Sequence, residues 1–589
     1  MSTTVCWRES RRIERHCHVH GWLALLLLLF VLGLPGNGIC ANAEETVADV
    51  VVYGGTSGGV VAAVQVARLG KSVVLIEPGR HLGGLSSGGL GATDIGNKSA
   101  IGGMAREFYH RVWKYYLRPE AWKYGTRDEY LALNKGRADW NKDETWWLFE
   151  PHAAEEVFRA MIAESRVPVV YGERLLGTGG VEKRDSRVIS IKMESGRKFS
   201  AKVFVDATYE GDLMAQAGIA YATGREANAR HGETINGVQP HREHERYYYY
   251  HQFSKPVSAF LKPGDPASGL LPGVGANGVG TEGSGDHRVQ AYCFRTCLTD
   301  QPENKAPISK PADYDPLRYE LLLRYYEAGF DKIPVDPLAR MGTNGLSPRV
   351  FLPNRKTDNN NIYAVSVDYT GMNYGYPDGG YPTREKIIRD HASYQQGLYW
   401  TLAHNPRVPE KLRQEMMRWG LAKDEFTDTG HWPHQLYVRE ARRMVSDYVM
   451  TEHNCWRKRM AGDSVGLAAY GMDSHNVQRY ADAQGNVRNE GNVQTEGNEV
   501  LQPYPVSYRS IVPRASECTN VLVPVCASAS HVAYGSIRME PVFMILGQSA
   551  GVAAVEAVER TTTVQQVSYD RLRDRLLRAG QILAWPPPK

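Results

Sequence analysis

"DVVVYGGTSGGVVAAV", Asp49 to Val64, together with "SVVLIE", Ser72 to Glu77, decides the fold. Val50 to Tyr53 is a short apolar, β-branched run of the kind found in a strand buried on both faces. A glycine-rich turn follows from Gly54 to Gly59, and "VVAAVQVARLG" then continues with helical spacing as far as Gly70. Strand, tight turn, helix and strand in that order make a βαβ unit. A dinucleotide-binding turn has the spacing Gly-x-Gly-x-x-Gly; here Gly54 and Gly59 fill the outer positions and Thr56 stands at the middle one, between Gly55 and Gly58. Gly54 permits the reversal, and Gly59 lets the helix approach the strand while its N-terminus faces a pyrophosphate. Thr56 narrows that space but brings a hydroxyl able to donate to phosphate, so its hydroxyl or backbone is expected beside the pyrophosphate. Glu77 lies 23 residues after Gly54, at the end of the second strand, where a carboxylate accepts from a ribose 2′-hydroxyl and opposes a 2′-phosphate.

After Glu77 comes "PGRHLGGLSSGGLG", in which Gly83, Gly84, Gly88 and Gly89 bracket Ser86 and Ser87. With this stretch the chain resembles the FAD-dependent oxidoreductases of the glutathione-reductase-like flavoprotein superfamily. More closely, it resembles a secreted bacterial family often labelled FAD-dependent oxidoreductase or xanthan lyase. The resemblance implies that Glu77, Gly83, Gly84, Ser86, Gly88 and Gly89 run along the adenosine, pyrophosphate and flavin of FAD. "VFVDATYEGD" is similar to a superfamily strand ending Asp-Ala-Thr-Gly beside the cofactor: Asp206, Ala207 and Thr208 match, and Tyr209 replaces the glycine. "LGQSAGVAA" resembles the C-terminal segment that closes the flavin site, which adds Gly547, Gln548, Ala550 and Gly551. Gly547, Ala550, Gly551 and Ala554 strip one helical face to backbone, which lets a cofactor or another element come very close.

The implied fold class is α/β, a Rossmann-like FAD-binding domain of βαβ unit plus antiparallel meander, with a large inserted α+β substrate or cap domain. The meander is expected in "RVISIKMESGRKFSAKVFVDATYEGD", Arg187 to Asp212. The boundaries read as 1–43 leader, 44–225 and 516–560 FAD-binding domain, 226–515 insertion, and 561–589 C-terminal helix and tail. Within the insertion, helices are expected near "PLRYELLLRYYEAG", "TREKIIRDHASYQQGLYWTLA" and "YVREARRMVSDYVM". In the last of these Arg439 and Arg443 would share a face and meet carboxylates such as Glu440 and Asp447. "DAQGNVRNEGNVQTEGNE", Asp482 to Glu499, reads as a solvated loop.

Chemistry is sought in "ASASHVAYGSIRMEP", just ahead of the closing helix. His531 is the candidate base, Arg538 the candidate holder of a substrate oxygen, and Glu540 stands beside them. The structural alternative has His531 capping a strand and Arg538 pairing with Glu540. Arg355, Lys356 and Asp358 of "PNRKTDNNN" are expected to face the cleft. "RYYYYHQF" and "DYTGMNYGYPDGGYP" offer aromatic faces on which sugar rings stack. The resulting expectation is hydride transfer from a small polar or carbohydrate-like substrate to flavin N5, with an unknown electron acceptor. A polysaccharide lyase needs a base and a carboxylate-neutralising group but no dinucleotide fold. A non-catalytic carbohydrate-binding flavoprotein is the third reading.

The first 43 residues differ from the rest: four arginines precede the 13-residue run "WLALLLLLFVLGL", and Ala41-Asn42-Ala43 forms a small-residue site. That run is short of the roughly 20 residues a spanning helix needs and fits a signal-peptide core. Export with cleavage after Ala43 is expected, to the periplasm or beyond, with membrane contact only through this signal. The formal charge is +4, of which Arg8, Arg11, Arg12 and Arg15 less Glu9 and Glu14 account for +2, leaving +2 for the mature chain. So weak a charge implies no nucleic-acid partner. Cys293, Cys297, Cys455, Cys518 and Cys526 would remain after cleavage. They have no spacing suited to zinc or an iron–sulfur cluster, and no metal is expected.

Overall fold

Strand β1, Glu45–Tyr53, is the centre of a seven-stranded sheet. The computed structural model describes residues 45–133, 143–240, 251–336, 351–495 and 502–587. The leader, residues 246–250 of the tyrosine run and the end of the Asp482 to Glu499 stretch lie outside them. β1 leads through helix α1, Ser57–Arg68, into β2, Val73–Glu77. The two strands are parallel, with Val50 opposite Val73 and Tyr53 opposite Ile76. Val50 to Val52 of β1 and Val73, Val74 and Ile76 of β2 are buried on both faces, which explains the continuous apolar runs. Helices α2, Gly103–Tyr115, and α3, Pro151–Glu164, follow, the latter opened by a proline whose missing N–H costs nothing there. Strand β3, Val169–Tyr171, then adds parallel to β2.

An antiparallel meander forms, beginning ahead of the expected stretch with β4, Val181–Arg184, and continuing through β5, Arg187–Lys192, and β6, Lys198–Asp206. β6 is shared along its length. Its first half pairs antiparallel with β5, and its whole length runs parallel to β1 with Tyr53 opposite Asp206. Near its C-terminal end it receives β7, Val521–Leu522, parallel. Tyr53, Glu77 and Asp206 therefore end their strands at one edge of the sheet, where open α/β sheets bind ligands.

Glu44–Lys589 forms one compact unit, so residues 226–515 pack within the same body as the sheet. Their regular structure includes helix α4, Tyr381–His404, shorter helices at Glu320–Glu327 and Glu410–Arg418, an antiparallel sheet of five short strands, and several two-stranded ladders. The first two expected helices are present. The third is not. Residues 437–450 are non-helical and mostly irregular, with Arg443–Met444 paired to Tyr221–Ala222, because each of their arginines is drawn to a different distant carboxylate. Arg439 meets Asp368 at 2.8 Å, Arg442 meets Asp212 at 2.7 Å, and Arg443 meets Glu226 at 2.7 Å as well as Glu440. The stretch from Asp482 is not a solvated loop either. Gln478–Ala481 and Val487–Glu490 form a hairpin, and Glu490 is buried against Arg225 at 2.7 Å. Near the C-terminus come α5, His531–Ile537, and α6, Glu540–Arg560, the latter with proline in its first turn. The five cysteines named above are free and buried.

Candidate active site

At the edge where β1 ends, Gly54 adopts φ +102, and an added Cβ would lie 2.8 Å from the Ala207 carbonyl carbon. Gly59 meets the strand still more closely: its Cβ would stand 1.9 Å from the Gly54 oxygen. Thr56 caps α1, its hydroxyl accepting from the Gly59 amide at 3.2 Å and donating to the Ala207 carbonyl at 2.7 Å. Its hydroxyl is therefore engaged within the protein, tying the helix start to the end of β6, while the residue lines a cavity. Ser57, the first helical residue, is buried with its hydroxyl turned to the Glu540 carboxyl.

That cavity, of about 370 Å³, is lined by Thr56, Glu77, His81 and Gly84 from the sheet side and by Asp428 and His434 from the far segment. Glu77 accepts from the Gly55 amide at 2.6 Å and the Gly79 amide at 2.5 Å. Burial nevertheless pushes its carboxyl up to about 7.

The glycine-rich loop is held from the far end of the sequence. Gly83, at φ +100, donates to the Gly55 carbonyl at 2.8 Å, while Gly88 and Gly89 pack on the Gln435 side chain and the Arg295 backbone. Ser86 donates to Glu540 at 2.9 Å. Tyr209 donates to the other Glu540 oxygen at 2.7 Å and accepts from the Leu85 amide at 2.8 Å. Where the resembled flavoproteins have glycine, this phenol lies against Gly84. Asp206 is turned inward: it accepts from Thr208 N and Oγ1 and from the Met214 amide, building the turn that carries Ala207. Asp206 and Thr208 thus brace the site.

The small face of α6 meets α1. A Cβ at Gly547 would lie 2.1 Å from the Gly58 oxygen and one at Gly551 2.8 Å from the Ala62 oxygen, and Ala550 is buried in the same helix. Helix packing therefore occupies the face expected to admit a cofactor. Gln548 points elsewhere, accepting from the Met104 amide at 2.9 Å and donating to Gln65 at 3.0 Å.

His531 is enclosed rather than presented to a cleft. Its Nδ1 lies 2.7 Å from Glu440 and its Nε2 3.1 Å from the Ser474 hydroxyl, and burial lowers it to about 3. It opens α5, so it is neither a free base nor the cap of a strand. Arg538 pairs with Asp473 at 3.0 Å and donates to the Tyr437 hydroxyl at 2.6 Å, instead of pairing with Glu540. Its Nε is buried without a partner, as is that of Arg439, whose guanidinium sits 4.5 Å from the Tyr437 ring centre. Nearby, the Asp94 carboxylate accepts the Tyr470 hydroxyl at 3.1 Å and is raised by burial. His475 joins Asp368 at 2.8 Å in the same network. None of Asp94, Tyr437, Asp473 or His475 stood out in the sequence, because their contacts with Tyr470, Arg538 and Asp368 reach across 65 to 376 positions.

Of the "PNRKTDNNN" residues, Arg355 pairs with Asp300 and Asp358 pairs with the buried Arg295. Lys356 lies buried 2.7 Å from both Glu150 and Glu425. With His152 these two acids have the spacing of a metal site, but the Lys356 ammonium is the cation among them. The tyrosines at 369 and 376 pack: Tyr369 stacks on Tyr394 at 3.9 Å, and Tyr376 bonds Glu210.

Residues 49–576 match the profile of a family described as FAD dependent oxidoreductase. The chain belongs to this family. It is an FAD-dependent oxidoreductase by family, and FAD is its cofactor. No curated protein matches it in sequence. Among solved structures it is similar to an anhydrotetracycline hydroxylase from Streptomyces rimosus, with 15% identity over 31% of this chain and 36% of that one, TM-score 0.21. An L-amino acid deaminase from Proteus vulgaris shares 14% identity over 31% of this chain and 54% of that one, TM-score 0.21. An L-proline dehydrogenase from P. horikoshii shares 16% over 31% and 59%, TM-score 0.21. The matches thus span between about a third and three fifths of those chains.

The residues at the sheet edge fit FAD. The start of α1, brought against the strand ends by Gly54 and Gly59, suits a pyrophosphate, and the cavity beside Glu77 suits the adenosine end. Ser86, Gly84 and the Glu540 anchor shape the loop that would follow the cofactor toward the flavin.

Proposed function

We propose that this chain is an exported oxidoreductase that removes a hydride from a C–H bond of a small polar or carbohydrate-like substrate. One observation carries the reading. Arg538 keeps a buried, unpartnered Nε only two residues before Glu540, whose carboxylate holds the glycine-rich loop through Ser86. A guanidinium in that state is a ready ligand for a hydroxyl or carboxylate oxygen. FAD, when bound, supplies the two-electron acceptor. Arg538 would hold the substrate oxygen, with Tyr437 and Asp473 fixing its plane. Asp94, braced by Tyr470 and raised by burial, suits the proton-accepting role expected of His531.

The test is anaerobic mixing of FAD-loaded protein with sugars, sugar acids and small hydroxy acids while flavin absorbance is followed. Bleaching by one of them supports turnover. A flavin that binds but is reduced by none of them favours the carbohydrate-binding alternative. Export is supported by the leader pattern, and a secreted form beginning at Glu44 is its expected sign; a full-length product retained in the cell would count against it.

A further inference from the structure

The cavity beside Glu77 contains a ring that no protein group satisfies. Both nitrogens of His434 are buried without a hydrogen-bond partner. The ring stacks on His81 at 3.9 Å between centres and 10° between planes. His81 is itself fixed at both nitrogens, 3.1 Å from Glu155 and 3.1 Å from Asp428. The plane of His434 is thus set by a neighbour that cannot turn, and its polar edge is left for something absent from the chain. Two unmet, buried ring nitrogens on one partly buried side chain that lines the cavity point to a ligand.

We propose that His434 reads the adenine of FAD, making it a specificity residue for the adenosine half of the cofactor. Three features of the cavity select that occupant. Glu77, on the wall at the end of β2, is the acid that takes a ribose hydroxyl in this kind of unit. Thr56, at the start of α1, marks the side toward the pyrophosphate. The remaining polar surface is the histidine pair, and a neutral imidazole offers one donor and one acceptor. Adenine has both in its amino group and ring nitrogens. His81 has no nitrogen to spare for a metal, and among the described residues His434 belongs to no cluster of three metal-ligating side chains.

The experiment uses apoprotein titrated separately with ADP, FAD and FMN, read by intrinsic fluorescence and calorimetry. The unmodified protein is expected to bind ADP in competition with FAD. His434→Phe keeps a ring on His81 and removes both nitrogens, so it should weaken ADP and FAD by roughly tenfold, the scale of one lost hydrogen bond or a little more, and leave FMN unchanged. His434→Gln, which restores a donor and an acceptor, should recover part of the loss. Unaltered ADP and FAD affinity in a His434→Phe protein with native circular dichroism overturns the proposal. Equal weakening of FMN overturns it too, since the effect would then be a general loss of the site. If His434→Phe does not fold, His434→Leu, which also removes both nitrogens, decides by the same ratio of ADP to FMN affinity.

Discussion

Ser86 donates a hydrogen bond to Glu540 at 2.9 Å across 454 positions of sequence. The bond joins the loop after the first βαβ unit to the start of the last long helix, and the Tyr209 hydroxyl completes it from the end of β6 at 2.7 Å. Replacing Glu540 by alanine would leave both hydroxyls buried and unmet, at a cost of about 1–3 kcal/mol each. Glu540→Ala is therefore expected to lower the melting temperature and to purify with less bound flavin than Glu540→Gln, which keeps an acceptor. Differential scanning calorimetry and the flavin-to-protein absorbance ratio check this. Equal flavin content in the two variants would remove Glu540 from the cofactor site.

Glu77 sets a pH dependence. Burial raises its carboxyl to about 7, against an ordinary value of 4.5. Because the folded value lies above the unfolded one, the protonated form stabilises the apoprotein. That contribution is complete below pH 4.5 and is lost as pH rises through about 7. FAD works in the opposite direction, since a ribose hydroxyl bonds best to the carboxylate. FAD affinity is expected to rise roughly tenfold between pH 6 and 8, as the ionised fraction goes from about a tenth to about nine tenths. Isothermal titration at the two pH values, with Glu77→Gln as the flat and weaker reference, measures it.

How much of this was legible depended on the range of each interaction. The Gly54 turn, Glu77 and the meander were readable because backbone conformation and strand burial are written in neighbouring residues. The role of Gly547 was only half readable: spacing showed that something comes close, but not that the neighbour is Gly58 of α1. The arginines of 439–443 misled, since helical spacing assumes local partners and theirs lie at Asp368, Asp212 and Glu226. His434 carried no signal at all. Its meaning comes from His81, 353 positions earlier, and from a cavity that neither segment forms alone.

Gly547 gives a packing test. Alanine at an exposed helix site would gain helix propensity of up to about 1 kcal/mol over glycine. Here its Cβ would lie 2.1 Å from the Gly58 carbonyl oxygen, and backbone cannot move aside cheaply. Gly547→Ala is expected to destabilise by about 1–3 kcal/mol and to reduce FAD retention, because Gly58 belongs to the turn that starts α1. Gly177→Ala, which meets nothing within 4 Å, is the control and should be near neutral. Urea unfolding of both variants resolves the difference. A neutral Gly547→Ala would mean that the two helices do not pack this closely.

His531 separates a structural from a catalytic role. Its two nitrogens are taken by Glu440 and Ser474, and burial keeps it neutral down to about pH 3. His531→Ala removes a partner from the buried Glu440 carboxylate, which also bonds Gln290 and Arg443. The expected loss is about 1–3 kcal/mol of stability. Flavin reduction by any substrate found for the enzyme should keep its pH profile, because no proton leaves His531 in the working range. Arg538→Met should also lose stability, since it strands the Asp473 carboxylate, but in addition it should raise KM or abolish reduction. Thermal unfolding beside stopped-flow reduction distinguishes the two. A His531→Ala protein with unchanged melting temperature and reduction slowed by a hundredfold would restore His531 as the base and displace Asp94.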